Sequence, residues 1–149
     1  MFSGAYARWV FCAAAGKLPA IAVTADRPPE LRGVGANRTI RQASVFGGDV
    51  RLAVDMSTAT ERVGIVRYWR STVARTVAAA TDAVRPGPVH LNVPFAEPLV
   101  PDGDEEWIEP LEGRSEGRPW TADSRLVAGM STPLDDVLDA LLDDTHVPA

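Results

Sequence analysis

Two consecutive prolines directly behind a short apolar run restrict this chain more than any other feature. Leu18-Pro19-Ala20-Ile21-Ala22-Val23 is continuous, partly β-branched and ends in small polar residues, the pattern of a strand buried in a parallel sheet. Thr24-Ala25-Asp26-Arg27-Pro28-Pro29-Glu30-Leu31-Arg32-Gly33-Val34-Gly35-Ala36-Asn37 follows it. Pro28 and Pro29 remove two backbone donors and bias Arg27 and Pro28 to extended conformations. Gly33 and Gly35 permit positive φ. The chain therefore leaves the carboxyl end of a strand into an ordered loop carrying Asp26, Arg27, Glu30, Arg32 and Asn37. In open α/β sheets that edge is where ligands bind.

The rest of the chain supplies the remaining layers. Trp9-Val10-Phe11-Cys12-Ala13-Ala14-Ala15 reads as the end of a helix packing on the sheet, closed by Gly16, rather than as a signal-peptide core, because no basic segment precedes it. Lys17 then answers the helix dipole. Thr39 and Gln42 have capping-box spacing, which predicts a short helix from about Ile40 to Phe46, stopped by Gly47-Gly48. Val50-Arg51-Leu52-Ala53-Val54 alternates as a second strand. Thr58 and Glu61 repeat the capping-box spacing. Behind them Val63, Val66, Trp69, Val73, Val77 and Ala80 recur at helical spacing, predicting a long amphipathic helix ending near Ala83. Arg85-Pro86-Gly87-Pro88 is a turn, and Val89-His90-Leu91-Asn92-Val93 is a third strand ended by Pro94. Strands alternating with helices predict an α/β fold, three layers with a parallel sheet and right-handed crossovers. That domain occupies residues 1–100. An acidic, proline-containing linker covers 101–126. A tail at 127–149 carries one amphipathic helix on Leu134, Val137, Leu138, Leu141 and Leu142.

Composition excludes several function classes. A net charge of −5 argues against general nucleic-acid binding. No apolar run approaches the roughly 20 residues of a transmembrane helix. The single cysteine, Cys12, cannot form an intrachain disulfide, and a cytoplasmic protein is the simplest reading. No HExxH, CxxC or carboxylate cluster has metal-ligand spacing, so no metal site is expected. Gly33-Val34-Gly35 lacks the third glycine and the long helix of a dinucleotide fingerprint. Arg27, Asn37 and Arg38 remain near strand ends, and arginine suits bidentate binding of carboxylate or phosphate. From the residues alone this is an α/β domain with either an anion pocket or a purely structural loop.

The run from Thr24 to Asn37, then Thr39-Ile40-Arg41-Gln42, Phe46-Gly47, Tyr68-Trp69-Arg70-Ser71 and Gly87 through Leu99 (GPVHLNVPFAEPL) closely resemble the MenD family. These are the 2-succinyl-5-enolpyruvyl-6-hydroxy-3-cyclohexene-1-carboxylate synthases of menaquinone biosynthesis. The resemblance runs from about Leu18 to Val100, the second half of the family's pyrimidine-binding (Pyr) domain, and Arg118-Pro119-Trp120 resembles the start of its middle domain. It implies a transferase using thiamine diphosphate and Mg2+, which decarboxylates 2-oxoglutarate and adds the succinyl unit to isochorismate. It further implies a homo-oligomer or a partner subunit in the intact enzyme. By the same resemblance Arg27 would bind a substrate carboxylate and Asn37 would orient the thiamine adduct. Arg38 stands where the family usually has Gln. The family's activating glutamate, its Ser-Arg loop and its Gly-Asp-Gly…Asn motif have no counterpart in this sequence. No residue here is therefore assigned a catalytic or metal role, and the expectation is a fragment inactive alone. The alternative is a non-catalytic binding or assembly module, as a subunit of a split enzyme or a decayed fragment.

Overall fold

The computed structural model describes residues 4–35, 37, 40–97, 99–100, 108–112, 114–117 and 120–121. The expected tail helix lies outside these residues. Within them the chain runs α1 (Gly4–Ala15), β1 (Ala20–Asp26), β2 (Ala53–Asp55), α2 (Ile65–Ala80) and β3 (Pro88–Pro94). The three strands form one parallel sheet in the order β1-β3-β2, so β3 is central. Its burial shows this, with six of its seven residues buried.

The strand order fixes the layers. Chain passage from β1 to β2 moves across the sheet in one direction, and passage from β2 to β3 moves back. Right-handed crossovers then put the two connections on opposite faces. The first connection brings Phe46 onto the face of Ala22 and His90, where Val10 of α1 joins it in a cluster flanked by Tyr6, Ala7, Val45 and Val50. The second connection is α2, which lies against β3 and β1. Strand alternation points Val89 and Leu91, both buried, toward it. This is the expected three-layer α/β architecture. No described helix is long and apolar enough to cross a membrane.

Local details depart from the sequence expectations. β1 begins at Ala20 and reaches Asp26, and β2 is confined to Ala53–Asp55. Gly16 is not the left-handed residue that ends α1. Lys17 takes that conformation, at φ 53°. Lys17 N–H donates to Ala14 O (3.2 Å) and Leu18 N–H to Ala13 O (2.9 Å), the paired bonds of a Schellman ending. No helix forms over residues 40–46. Turns occupy the end of that stretch, followed by a 3-10 turn at Gly47–Asp49. The reason lies in Gln42, whose side-chain amide reaches out to the sheet instead of back to a helix start.

α2 is shorter at both ends than its apolar periodicity predicts, and Thr58 and Glu61 do not cap it. Its N-cap is Gly64, at φ 89° and with no side chain to offer. The carboxylate of Glu109 takes over, accepting from Gly64 N–H (2.9 Å) and Val66 N–H (2.7 Å). An anion at a helix start meets the orphan donors and the positive end of the helix dipole together. The Glu109 carboxyl is accordingly held below its ordinary range by the Val66 and Gly64 amides. Arg70 donates to the Leu111 carbonyl, and the guanidinium groups of Arg67 and Arg114 each lie over the Trp120 ring, 5.9 and 5.6 Å from its centre. Part of the acidic linker is thus laid along α2.

Candidate functional site

Parallel register aligns three polar residues in one row across the sheet. Thr24 of β1 sits beside Asn92 of β3, and Asn92 beside Asp55 of β2. One residue beyond Ala25 the first strand ends at Asp26. Side chains in such a row lie on one face, within hydrogen-bonding reach across the strands.

Asn92, fully buried, is the centre of the row. Its Nδ2 donates to Asp26 Oδ2 and to Asp55 Oδ1, both at 2.8 Å. Its Oδ1 accepts from Thr24 Oγ1 at 2.9 Å and from Gln42 Nε2 at 3.0 Å. All four hydrogen-bonding positions of the amide are filled. Because Thr24 donates to Asn92, its oxygen can only accept from His90 Nε2 at 2.7 Å, so that nitrogen carries the ring proton. Nδ1 of His90 has no hydrogen-bond partner. Burial pushes the imidazole pKa down, outweighing the backbone at Ala43 and the charge of Asp55, which favour the protonated ring.

Arg32 closes the row from the loop side. The Pro28–Pro29 pair directs the chain into a 3-10 turn, Pro29–Leu31, with Pro28 extended at φ −64° and ψ 157°. The turn brings the Arg32 guanidinium back over the strand ends. Nη1 donates to Asp55 Oδ2 at 2.5 Å, Nη2 lies 3.2 Å from Asp26 Oδ2, and Nε donates to Arg27 O at 2.9 Å. Burial would raise the Asp55 pKa, but the hydrogen bonds from Arg32 and Asn92 overcome it and hold the carboxyl below its ordinary value. Hydrogen bonding to Asp55 raises that of Arg32 in turn. Arg32 thereby ties the loop to two strands at once.

Beside this network opens a cleft of about 540 Å³, lined by Asp26, Arg32, Gly33, Gly35 and Ile40 through Ser44. It lies where the loop expectation put a ligand, outside the carboxyl ends of the strands. Gly33 and Gly35 take the positive φ their residue type allows, 77° and 75°.

Arg27 is half-buried, its backbone N–H bonded to Asp26 Oδ1 and its guanidinium 3.8 Å from Glu97. Asn37 is exposed in the turn that follows the loop, and Arg38 lies outside the described residues. Neither Arg27 nor Asn37 is among the described residues that line the cleft. Sequence reading left out Asn92, Asp55 and Gln42. Asn92 was hidden in an apolar strand pattern, and Asp55 was one residue past the expected end of β2. Gln42 was assigned to a helix cap. The available signal was a polar residue in or beside each strand, which a parallel register can bring together.

The two carboxylates at this site are spent on Arg32 and Asn92. Among the described residues no group of three or more His, Cys, Asp or Glu is placed to hold a metal ion. These residues do not by themselves fit Mg2+ or a diphosphate.

No protein-family model matches the chain. The 2-succinyl-5-enolpyruvyl-6-hydroxy-3-cyclohexene-1-carboxylate synthase of Saccharopolyspora erythraea is 52% identical over 104 residues, 70% of this chain and 19% of that protein. The synthase of Thermobifida fusca is 52% identical over 90 residues, 60% of this chain and 16% of its own length. That of Rhodococcus opacus is 36% identical over 132 residues, 87% of this chain and 24% of the relative. The chain thus spans about a fifth of the length of the curated relatives it matches.

Proposed function

We propose, from the premise that this chain is a partial member of the 2-succinyl-5-enolpyruvyl-6-hydroxy-3-cyclohexene-1-carboxylate synthase (MenD) family, that its strand ends form part of a substrate-lining wall of such a synthase. The supporting observation is the coincidence of two things. The chain is 52% identical to a synthase over 104 residues, and it builds a pre-organised polar wall beside a cleft. The reaction is that of the family: decarboxylation of 2-oxoglutarate on thiamine diphosphate, then addition of the succinyl unit to isochorismate.

In this reading thiamine diphosphate, the family's cofactor together with Mg2+, would supply the electron sink for decarboxylation, and the described residues would hold neither. The chain's own residues bind and orient. Asn92 and Arg32 fix Asp26 and Asp55, so that the loop bearing Arg27 and Asn37 is held at the strand ends. Arg27 presents its guanidinium to a substrate carboxylate from beside the cleft, which neither it nor Asn37 lines. A cytoplasmic location fits a menaquinone-pathway transferase with an exposed free cysteine. Residues 1–149 alone turn over nothing. The check is isochorismate consumption and thiamine-diphosphate binding by the isolated chain. Turnover with no other subunit present would overturn the reading.

A second reading, a non-catalytic assembly module, is favoured by one observation. β1 is a sheet edge among the described residues, and its outward-facing Ile21 and Val23 are 39% and 56% exposed. Val73 and Val77 of α2 are also exposed. Open edges and apolar faces seek partners. The partner is a second copy or another subunit of the synthase. Light scattering on the eluting chain tests this, and a stable monomer at all concentrations counts against it.

A further inference from the structure

We infer that Arg41 is the residue that binds the ligand's carboxylate in the cleft, an assignment that rests on the acid-binding reading above and adds a residue to it. Among the described residues two arginines line the cleft, Arg32 and Arg41. They are in opposite electrostatic situations. Arg32 donates to Asp55 through Nη1 and to Arg27 O through Nε, while its Nη2 is ion-paired 3.2 Å from Asp26 Oδ2 without a hydrogen bond. It cannot turn to a ligand without uncovering two carboxylates. Arg41 is exposed, and its side chain has no hydrogen-bond or ion-pair partner among the described residues. An unpaired guanidinium beside a concave site offers a fork of donors matched to a planar oxyanion.

Its neighbours narrow the class. Gln42 spends its amide on Ala25 O and Asn92, so it holds the backbone at residues 41–43 against the sheet rather than meeting the ligand. The Arg41 stem therefore starts from a fixed point. Ser44 on the same wall adds a neutral hydroxyl. Asp26, also on the wall, carries negative charge that opposes a second negative charge nearby. A carboxylate group, with one charge, is favoured at this wall over a dianionic phosphate group on that ground.

The test is a side-chain NMR titration of the whole chain with three probes: succinate, its neutral diamide and inorganic phosphate. Saturable succinate shifts at the Arg41 Nε–H and the Gln42 side-chain amide are expected, with weaker binding of phosphate and none of the diamide. Arg41→Gln weakens succinate about tenfold or more, the loss of a charge-assisted bidentate pair, and Arg41→Lys recovers part of it. The amide spectrum away from the cleft stays unchanged in both variants, since Arg41 is exposed. Equal succinate affinity in wild type and Arg41→Gln would overturn the assignment and leave the acid-binding reading standing. Failure of wild type to bind succinate would overturn both. Tighter phosphate than succinate binding would overturn the carboxylate class.

Discussion

Asn92 is the residue on which the site depends, and its chemistry cannot be replaced by size alone. It donates to two carboxylates and accepts from two donors, all while fully buried. Asn92→Asp keeps the shape but removes both donors and sets a third carboxylate between Asp26 and Asp55. We expect a loss of roughly 3 kcal/mol or more at pH 7, shrinking in mildly acidic buffer as the new carboxyl protonates, measured by urea unfolding. His90 makes the opposite pH signature. Its folded-state pKa lies below the ordinary 6.5, so the unfolded chain takes up the proton first as pH falls. Its contribution to stability is complete above 6.5 and is lost on acidification through the lower folded value. Unfolding free energy should fall between pH 7 and the acid range, and His90→Gln should flatten that slope. An unchanged slope in the variant would assign the pH dependence elsewhere.

At the scale of elements, the strands and layers were legible because continuous apolar runs and helical periodicity follow directly from burial. Two expectations failed where a side chain found a distant partner. Gln42 had capping-box spacing but bonds to Ala25 O and Asn92, so the helix over 40–46 is absent. Thr58 and Glu61 had the same spacing, yet the cap on α2 comes from Glu109, more than forty residues on. Such long-range bonds leave no periodic trace. The cap yields a prediction. Glu109→Ala should lower the melting temperature and reduce helical circular dichroism, with Glu109→Gln in between because an amide oxygen still accepts. Gly64→Ala should cost about 1–2 kcal/mol, the torsional penalty of a left-handed residue, since a Cβ there meets nothing within 4 Å. A Gly64→Ala variant as stable as wild type would show that the helix starts elsewhere.

At the scale of the whole molecule, the cleft's location was readable but its lining was not. The two prolines and the strand before them place a ligand edge from composition and order alone. Which side chains meet there depends on the register of three parallel strands, and register is set by packing that no single segment encodes. Arg27, Asn37 and Arg38 came from the polar loop in the sequence and took their roles from resemblance, whereas Asn92, Asp55 and Arg41 came from geometry. The exposed faces of β1 and α2 belong to this scale as well. Ile21→Lys and Val23→Lys should leave monomer stability within about 0.5 kcal/mol, as exposed substitutions do, and abolish any association seen by light scattering.

The central claim is that the strand ends of this chain are a working wall of a MenD-type active site. Grafting residues 18–100 in place of the matching segment of the Saccharopolyspora erythraea synthase tests it directly. The account predicts a folded chimera, verified by circular dichroism, that consumes isochorismate with 2-oxoglutarate and loses that activity on Asn92→Ala. A folded chimera with no turnover would contradict it.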